Sequence, residues 1–178
     1  MSFTIEFSRQ RIFGLNLVAV NDFGAAMVWQ RQWWLGLVLM PCLALADTLV
    51  DATDPANLTK IMQAHGDALL QQDPVGDPLI IGRYQGAIYT VRFYGCEQGL
   101  ACRDLIFNAA WENAGVDLGF INHWNSRSRY GKAFFDEVGD PTIEMAVNLH
   151  LGVTRDNFKD TVEWWFASMH QFAQQMGY

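Results

Sequence analysis

The sequence predicts an α+β domain. In it an antiparallel sheet packs with an N-terminal helix, a short middle helix before a β-hairpin, and a long C-terminal helix. Residues 142–149 alternate apolar and polar side chains, which is typical of a strand with one buried face. Residues 158–176 carry apolar side chains at steps of four and three, which is typical of a helix with one buried stripe. The Gln85-Gly86 pair between two strand-like runs predicts a tight turn.

The remaining elements follow from caps and alternation along the chain. Asp54 can cap a first helix, Pro55 suits its first position, and Gly66 suits its exit. Asp117 can cap a middle helix that ends near Arg127. Strands are expected at residues 68–72, 79–84, 87–94 and 103–111, and then in a hairpin of residues 130–136 and 142–149.

The C-terminal helix is predicted to begin after Thr154, a good N-cap, with Asp156 in the first turn, where the helix dipole favours negative charge. Its core-facing stripe consists of Phe158, Val162, Trp165, Met169, Phe172 and Met176. Trp164 and Phe166 lie off the centre of this stripe. They are either buried at the margins of the core or exposed as a surface for a protein partner, since grouped exposed aromatic side chains mark interfaces.

Most charged side chains of the 178-residue chain lie in residues 47–178. Residues 47–178 hold nine basic and seventeen acidic side chains, a formal charge of −8. Phosphate backbones and anionic lipid surfaces repel such a domain, so neither nucleic acid nor a membrane surface is an expected partner. We expect no internal repeat.

Residues 27–46 are typical of a signal peptide. A basic start is followed by an apolar run of 14 residues, too short to span a bilayer comfortably, and by small side chains at Ala44 and Ala46. Cleavage there would make Asp47 the new N-terminus of a domain at 47–178. We interpret residues 1–26 as a misassigned upstream extension or a disordered segment. The alternative is an uncleaved membrane anchor.

Two cysteines of the exported part, Cys96 and Cys102, lie between predicted strands and are close enough in sequence to bridge a hairpin mouth. Export to an oxidising compartment favours a disulfide between them. The alternative is a pair of reduced thiols. A redox-active pair is disfavoured because the spacing is not Cys-x-x-Cys.

The segment from Phe120 to Phe172 carries a resemblance. Residues 121–125, 129–134, 139–141, 152–157 and 165–172 together resemble the YbjN family, described as bacterial sensory transduction regulators. The similarity covers about Leu58 to Phe172. The resemblance implies a fold like that of type III secretion chaperones, in which a curved antiparallel sheet packs with helices and which is often dimeric. It implies no catalytic residues. The matching positions that we interpret as determinants of the fold are Asn122, Trp124, Asn125, Arg129, Gly139, Asp140, Gly152 and Thr154.

Motifs for catalysis or metal binding are missing from the sequence. The four histidines have no local zinc spacing, and there is no nucleophile elbow, phosphate loop or dinucleotide fingerprint. We therefore expect no enzyme activity and no cofactor. The sequence favours a periplasmic or secreted regulatory module that binds a protein and has no membrane span after cleavage. A second copy of the chain is one candidate for that partner. The alternatives are a small-ligand or envelope-stress factor with a pocket between sheet and helices, and an unrecognised enzyme.

Overall fold

A computed structural model describes residues 49–112 and 114–178. Within them the fold is α+β, as predicted. The helices are α1 (Pro55–Gln63), α2 (Leu118–Arg127) and α3 (Arg155–Met176). The strands are β1 (Leu49–Val50), β2 (Ala68–Gln72), β3 (Pro78–Tyr84), β4 (Ala87–Tyr94), β5 (Asp104–Ala110), β6 (Lys132–Phe135), β7 (Pro141–Asn148) and β8 (Val153–Thr154).

The predicted upstream extension at 1–26 and signal peptide at 27–46, with Ala44, Ala46 and Asp47 at its cleavage site, lie outside the described residues. They stay predictions. Among the described residues, no helix has both the length and the apolar character that crossing a bilayer requires.

Six strands form one antiparallel sheet in the order β2-β3-β4-β5-β7-β6. Each predicted strand is present, and its ends differ from the prediction by no more than two residues. The sequence did not predict the short ribbon of β1 and β8, in which Leu49 pairs with Thr154. Two-residue strands carry too little alternation to be detected by pattern.

The core lies between one face of the sheet and α3. Tyr89, Val91 and Phe93 of β4 point into it, as the alternation of that strand predicts. The predicted stripe of α3 is confirmed, because its members are buried up to Phe172, and Met176 packs at the margin. The ring of Phe172 lies 5.0 to 5.6 Å from those of three other aromatic residues, Trp111, Phe120 and Trp124.

Phe166 belongs to this core and not to the surface. Only 3% of it is exposed, and its ring stacks on Tyr84 at 4.3 Å and meets the edge of Tyr89 at 5.2 Å. The interpretation of Phe166 as part of a partner surface is therefore wrong. Helix α3 is covered on two sides, so a residue one step from the centre of the stripe is still buried against β3 and β4.

The two edge hairpins of the sheet repeat one turn. Residues 73–78 read Asp-Pro-Val-Gly-Asp-Pro between β2 and β3, and residues 136–141 read Asp-Glu-Val-Gly-Asp-Pro between β6 and β7. Each hairpin follows a helix capped by an aspartate, Asp54 for α1 and Asp117 for α2. The expectation of no internal repeat is therefore wrong: a helix–hairpin unit occurs twice, at opposite edges of the sheet.

Candidate functional site

Helix α2 and the turn after it are held in place by three side-chain hydrogen bonds. The indole Nε1 of Trp124, a buried residue, donates to the carbonyl of Gly131 at 3.0 Å. The Asn125 amide donates to the carbonyl of Ala133 and accepts from its backbone N–H, both at 2.8 Å. These contacts join the end of α2 to the start of β6, so the intervening turn has a defined position.

Gly131 has a conformation that few other residues adopt. Its φ is +70°, and a Cβ at this position would approach the side chain of Ile143 to 2.7 Å. A larger residue would therefore push the turn away from the sheet. Glycine here lets the chain pass close to β7 before it enters β6.

A cleft of about 400 Å³ opens between this turn and α3, and we call it the α2–α3 cleft. That volume falls within the range of ordinary ligand pockets, about 300 to 1,000 Å³. From α2 and the turn its lining takes His123, Trp124, Arg127, Ser128, Arg129 and Tyr130. From α3 it takes Trp164, Ser168, Gln171 and Gln175, which step by four, three and four along one face.

Three of these side chains form a stack at the mouth of the cleft. The guanidinium carbon of Arg129 lies 5.4 Å from the centre of the Tyr130 ring, a cation–π distance. The Tyr130 ring lies 5.0 Å from that of Trp164, tilted by 35°. Trp164 is 43% exposed, so much of its ring faces solvent. The stack joins a residue of the predicted family motif to the predicted partner surface.

The two arginines of the cleft have no ion-pair partner among the described residues. The described residues form two ion pairs, Arg103 with Glu97 and Lys159 with Asp156, and neither includes Arg127 or Arg129. The lining contains no aspartate or glutamate. Ser168 also lines the cleft, and 8% of it is exposed. The cleft therefore offers positive charge and hydrogen-bond donors to something outside the fold.

Comparison with known proteins gives a family. The model of the YbjN family, "Putative bacterial sensory transduction regulator", matches residues 54–177, more than two thirds of the chain. The chain belongs to the YbjN family. This confirms the resemblance seen in the sequence, and it supports a regulatory module in general terms. Neither the curated proteins nor the solved structures contain a match to the chain.

The residues that resemble the YbjN family fall into two groups in the structure. Trp124 and Arg129 line the α2–α3 cleft, and Asn125 holds the turn beside it. The others lie outside the cleft. Gly139 and Asp140 are in the β6–β7 turn, Gly152 and Thr154 precede α3, and Asn122 is exposed on α2 without a hydrogen bond to a described residue.

Several lining residues were not singled out in the sequence, including Arg127, Tyr130 and Ser168. A signal for the α3 side does exist. Trp164, Ser168, Gln171 and Gln175 repeat at helical spacing beside the core stripe, which marks a second face with its own contacts. The turn after α2 gives no such signal, because its position depends on the hydrogen bonds of Trp124 and Asn125.

Cys96 and Cys102 lie away from the cleft, at the β4–β5 connection. The structure places their sulfurs at bonding distance. Between them the backbone closes a small hairpin, in which Glu97 donates to the carbonyl of Leu100 at 2.7 Å and accepts from its N–H at 3.1 Å. The connection therefore places the two cysteines side by side.

A second cleft, of about 550 Å³, lies between the β3–β4 turn, the end of β5 and the last turns of α3. Its lining is mostly apolar and includes Ile88, Trp111, Met169 and Ala173. At its edge the hydroxyl of Tyr178 donates to the carbonyl of Glu112 at 3.0 Å. The residues described by the structure include no group of histidine, cysteine, aspartate and glutamate side chains suited to a metal ion.

Proposed function

We propose that this member of the YbjN family is an exported, non-enzymatic regulatory module of the bacterial envelope, which binds a protein partner through the α2–α3 cleft. The observation that carries the proposal is the exposed stack of Arg129, Tyr130 and Trp164. Arginine, tyrosine and tryptophan dominate the binding energy of protein interfaces, and here they meet at one rim. The family description points to regulation as well.

The contents of the cleft support binding and not catalysis. Its polar groups are guanidinium, amide, hydroxyl and imidazole groups spread over two helices. No carboxylate is present to orient His123 as a base, which is the arrangement that activates a nucleophile in hydrolases. Donors of this kind hold a ligand in place, and the aromatic side chains supply apolar area.

Export is the second part of the proposal. The signal peptide at residues 27–46 would deliver the domain to the periplasm or the medium, where Cys96 and Cys102 would oxidise. A disulfide that closes so short a loop would stabilise the fold by about 2 kcal/mol. The bond would fix the β4–β5 connection and leave the α2–α3 cleft free.

Site-specific photo-crosslinking in living bacteria tests the proposal. A benzophenone amino acid placed at Trp164 should give a discrete cross-linked protein in the envelope fraction, because that side chain would touch the partner. The matched control is Val138, which is 82% exposed in the β6–β7 turn, away from the cleft. Equal cross-linking from both positions, or none from Trp164, would contradict a partner at this cleft.

Homodimerisation belongs to the same proposal. The sheet face opposite the core carries exposed apolar side chains on three strands, at Leu69, Ile88 and Phe134. These side chains are spread from one edge strand to the other, so a second copy that covered them would pack across the sheet face. Sedimentation at increasing protein concentration tests this, and a constant monomer mass would contradict it.

A small-ligand role is the second candidate function. The cleft of about 550 Å³ lies between the sheet and α3 and has a mostly apolar lining, as expected for a pocket that buries a small molecule. Native mass spectrometry of the protein isolated from cells should then show an added mass. That mass should be lost when Ala173 is replaced by leucine, which narrows the cleft. Isolation of the protein without any added mass would contradict this role.

A further inference from the structure

We infer that the segment bound in the α2–α3 cleft is an acidic peptide, a stretch of a partner protein whose glutamate or aspartate carboxylates bind Arg127 and Arg129. The inference rests on the proposed function, because it names the chemistry of the partner at the same site. It goes beyond that function by stating which charge the partner must carry and which two residues recognise it.

The unpaired charge of the cleft is the first observation. Most basic residues of the domain have a polar partner: Arg83 donates to Gly86, Lys132 to Asn125 and Arg155 to Asn57, and Arg103 and Lys159 form ion pairs. Lys60 and Arg92 also have no such partner among the described residues, but neither lines this cleft. The lining of the α2–α3 cleft contains two such cations, Arg127 and Arg129.

The position of the two arginines is the second observation. Arg127 is in the last turn of α2, and the turn that carries Arg129 is held by the hydrogen bonds of Trp124 and Asn125. The Tyr130 ring beneath the Arg129 guanidinium restricts its directions further. Both arginines are exposed, and each guanidinium can bind a carboxylate through two parallel hydrogen bonds.

Further donors stand across the cleft on α3. Ser168 lines the cavity and is 8% exposed, and its hydroxyl can donate a hydrogen bond to a ligand there. Gln171 and Gln175 lie one and two turns further along the same face and carry amide groups suited to a peptide main chain.

A peptide fits these observations better than other anions. The formal charge of −8 on residues 47–178 repels long polyanions and anionic membranes, whose fields reach across the whole domain. A short acidic segment experiences mainly the local charge of the cleft, because salt screens more distant charges beyond about 8 to 10 Å. Tyr130 and Trp164 add the aromatic area that protein partners use and that a free phosphate ion cannot use.

Fluorescence anisotropy with the full chain tests the inference. The probe is a labelled peptide in which glutamate alternates with glycine around a central tyrosine. The control probe has glutamine in place of every glutamate. We expect the acidic peptide to bind at least about tenfold more tightly than the glutamine peptide, because charged hydrogen bonds contribute about 1.5 kcal/mol or more each. Its affinity should fall as the salt concentration is raised. Equal affinity for the two peptides would overturn the inference.

Substitutions identify the residues responsible. The double variant Arg127→Gln/Arg129→Gln should bind the acidic peptide about 100-fold more weakly, one factor of ten for each lost charged contact. Arg92→Gln removes the same charge from an exposed position outside the cleft and should change the affinity less than threefold. Circular dichroism of each variant confirms that it is folded. An unchanged affinity in the double variant would overturn the inference.

Two further results would assign a different occupant. If inorganic phosphate binds the cleft and the acidic peptide does not, the site is a small-anion site and the inference fails. If the double variant changes the oligomeric mass in sedimentation and leaves peptide binding unchanged, the occupant is a second copy of this chain, and the inference again fails.

These experiments also distinguish failure of the acidic-peptide inference from failure of the proposed function. A partner that cross-links from Trp164 equally well in the parent and in Arg127→Gln/Arg129→Gln would overturn the acidic-peptide inference and leave the proposed function in place. Charge-dependent peptide binding without any cross-linked partner in cells would overturn the proposed function and leave the preference of the cleft for acidic peptides.

Discussion

Asp73 and Asp136 occupy the same place in the two edge hairpins of the sheet and make the same hydrogen bonds. One carboxylate oxygen of Asp73 accepts from the backbone N–H groups of Val75 and Asp77, both at 2.9 Å. The matching oxygen of Asp136 accepts from Val138 at 3.0 Å and Asp140 at 2.9 Å. Gly76 and Gly139, three residues after these aspartates, both have a φ near +90°, so the two hairpins have the same turn structure.

Replacement of either aspartate should destabilise the fold to a similar extent. Asp136→Ala removes the acceptor of two backbone N–H groups, and we expect the free energy of unfolding to fall by about 1 to 2 kcal/mol. Asp73→Ala should cost about the same. Asp136→Asn keeps an acceptor oxygen and should cost less. Urea denaturation measures these differences.

The control for this prediction lies in the same turn. Glu137 is exposed and makes no side-chain hydrogen bond with a described residue, so Glu137→Ala should change stability by less than about 0.5 kcal/mol. A cost for Glu137→Ala equal to that of Asp136→Ala would indicate that charge, and not the pair of hydrogen bonds, determines the stability of the turn.

Asn125 and Asn122 provide a second matched pair, on one helix. Asn125→Ala leaves both the N–H and the carbonyl of Ala133 without their partner, and we expect a loss of about 2 kcal/mol. Asn122→Ala removes an exposed amide and should cost less than about 0.5 kcal/mol. Thermal unfolding of the two variants compares them, and equal melting temperatures would contradict the role given to Asn125.

Much of this fold is predictable from local pattern, because a helix or strand with one buried face has apolar residues at a regular spacing in the sequence. Thr154 shows this directly: it was predicted as an N-cap, and its hydroxyl accepts from Asn157 N–H at 3.2 Å. Whether a residue at the edge of the core stripe is buried cannot be predicted from this spacing. Phe166 and Trp164 are two residues apart in one helix, and only the position of β3 and β4 decides which of them is covered.

The candidate site was predictable only in part, for the same reason. The sequence marks Trp164 as an aromatic residue outside the core stripe of α3 and Arg129 as a residue of the family motif. It does not show that the two lie close together. Tyr130 lies between them because Trp124 and Asn125 attach the turn to β6. Contacts between distant segments depend on tertiary geometry that a periodic pattern does not contain.

The two cysteines give a prediction that can be checked chemically. If the exported protein holds a Cys96–Cys102 disulfide, protein prepared from the periplasm should show no free thiol at these two positions when it is denatured without reductant. The double variant Cys96→Ser/Cys102→Ser should unfold at a free energy about 2 kcal/mol lower. A reductant should lower the stability of the parent and leave that of the variant unchanged. Two free thiols in the periplasmic protein would contradict the bond.

Tyr89 predicts a specific response to alkaline pH. Its side chain is 1% exposed, its hydroxyl has no hydrogen-bond partner among the described residues, and burial raises its pKa from 10.0 to about 12. Above pH 10 the unfolded chain loses this proton while the folded protein keeps it. The contribution of Tyr89 to stability is therefore complete below pH 10 and is lost as the pH rises toward 12.

Tyr89→Phe should remove this dependence. At pH 8 the variant should be equal to the parent or more stable by about 1 kcal/mol, because a buried hydroxyl without a partner is removed. As the pH is raised above 10, the advantage of the variant in the free energy of unfolding should grow. Tyr94→Phe removes an exposed hydroxyl from the same strand, and its denaturation curves should follow those of the parent. A constant difference between Tyr89→Phe and the parent from pH 8 to pH 11 would show that the Tyr89 hydroxyl is not held in its neutral form by burial.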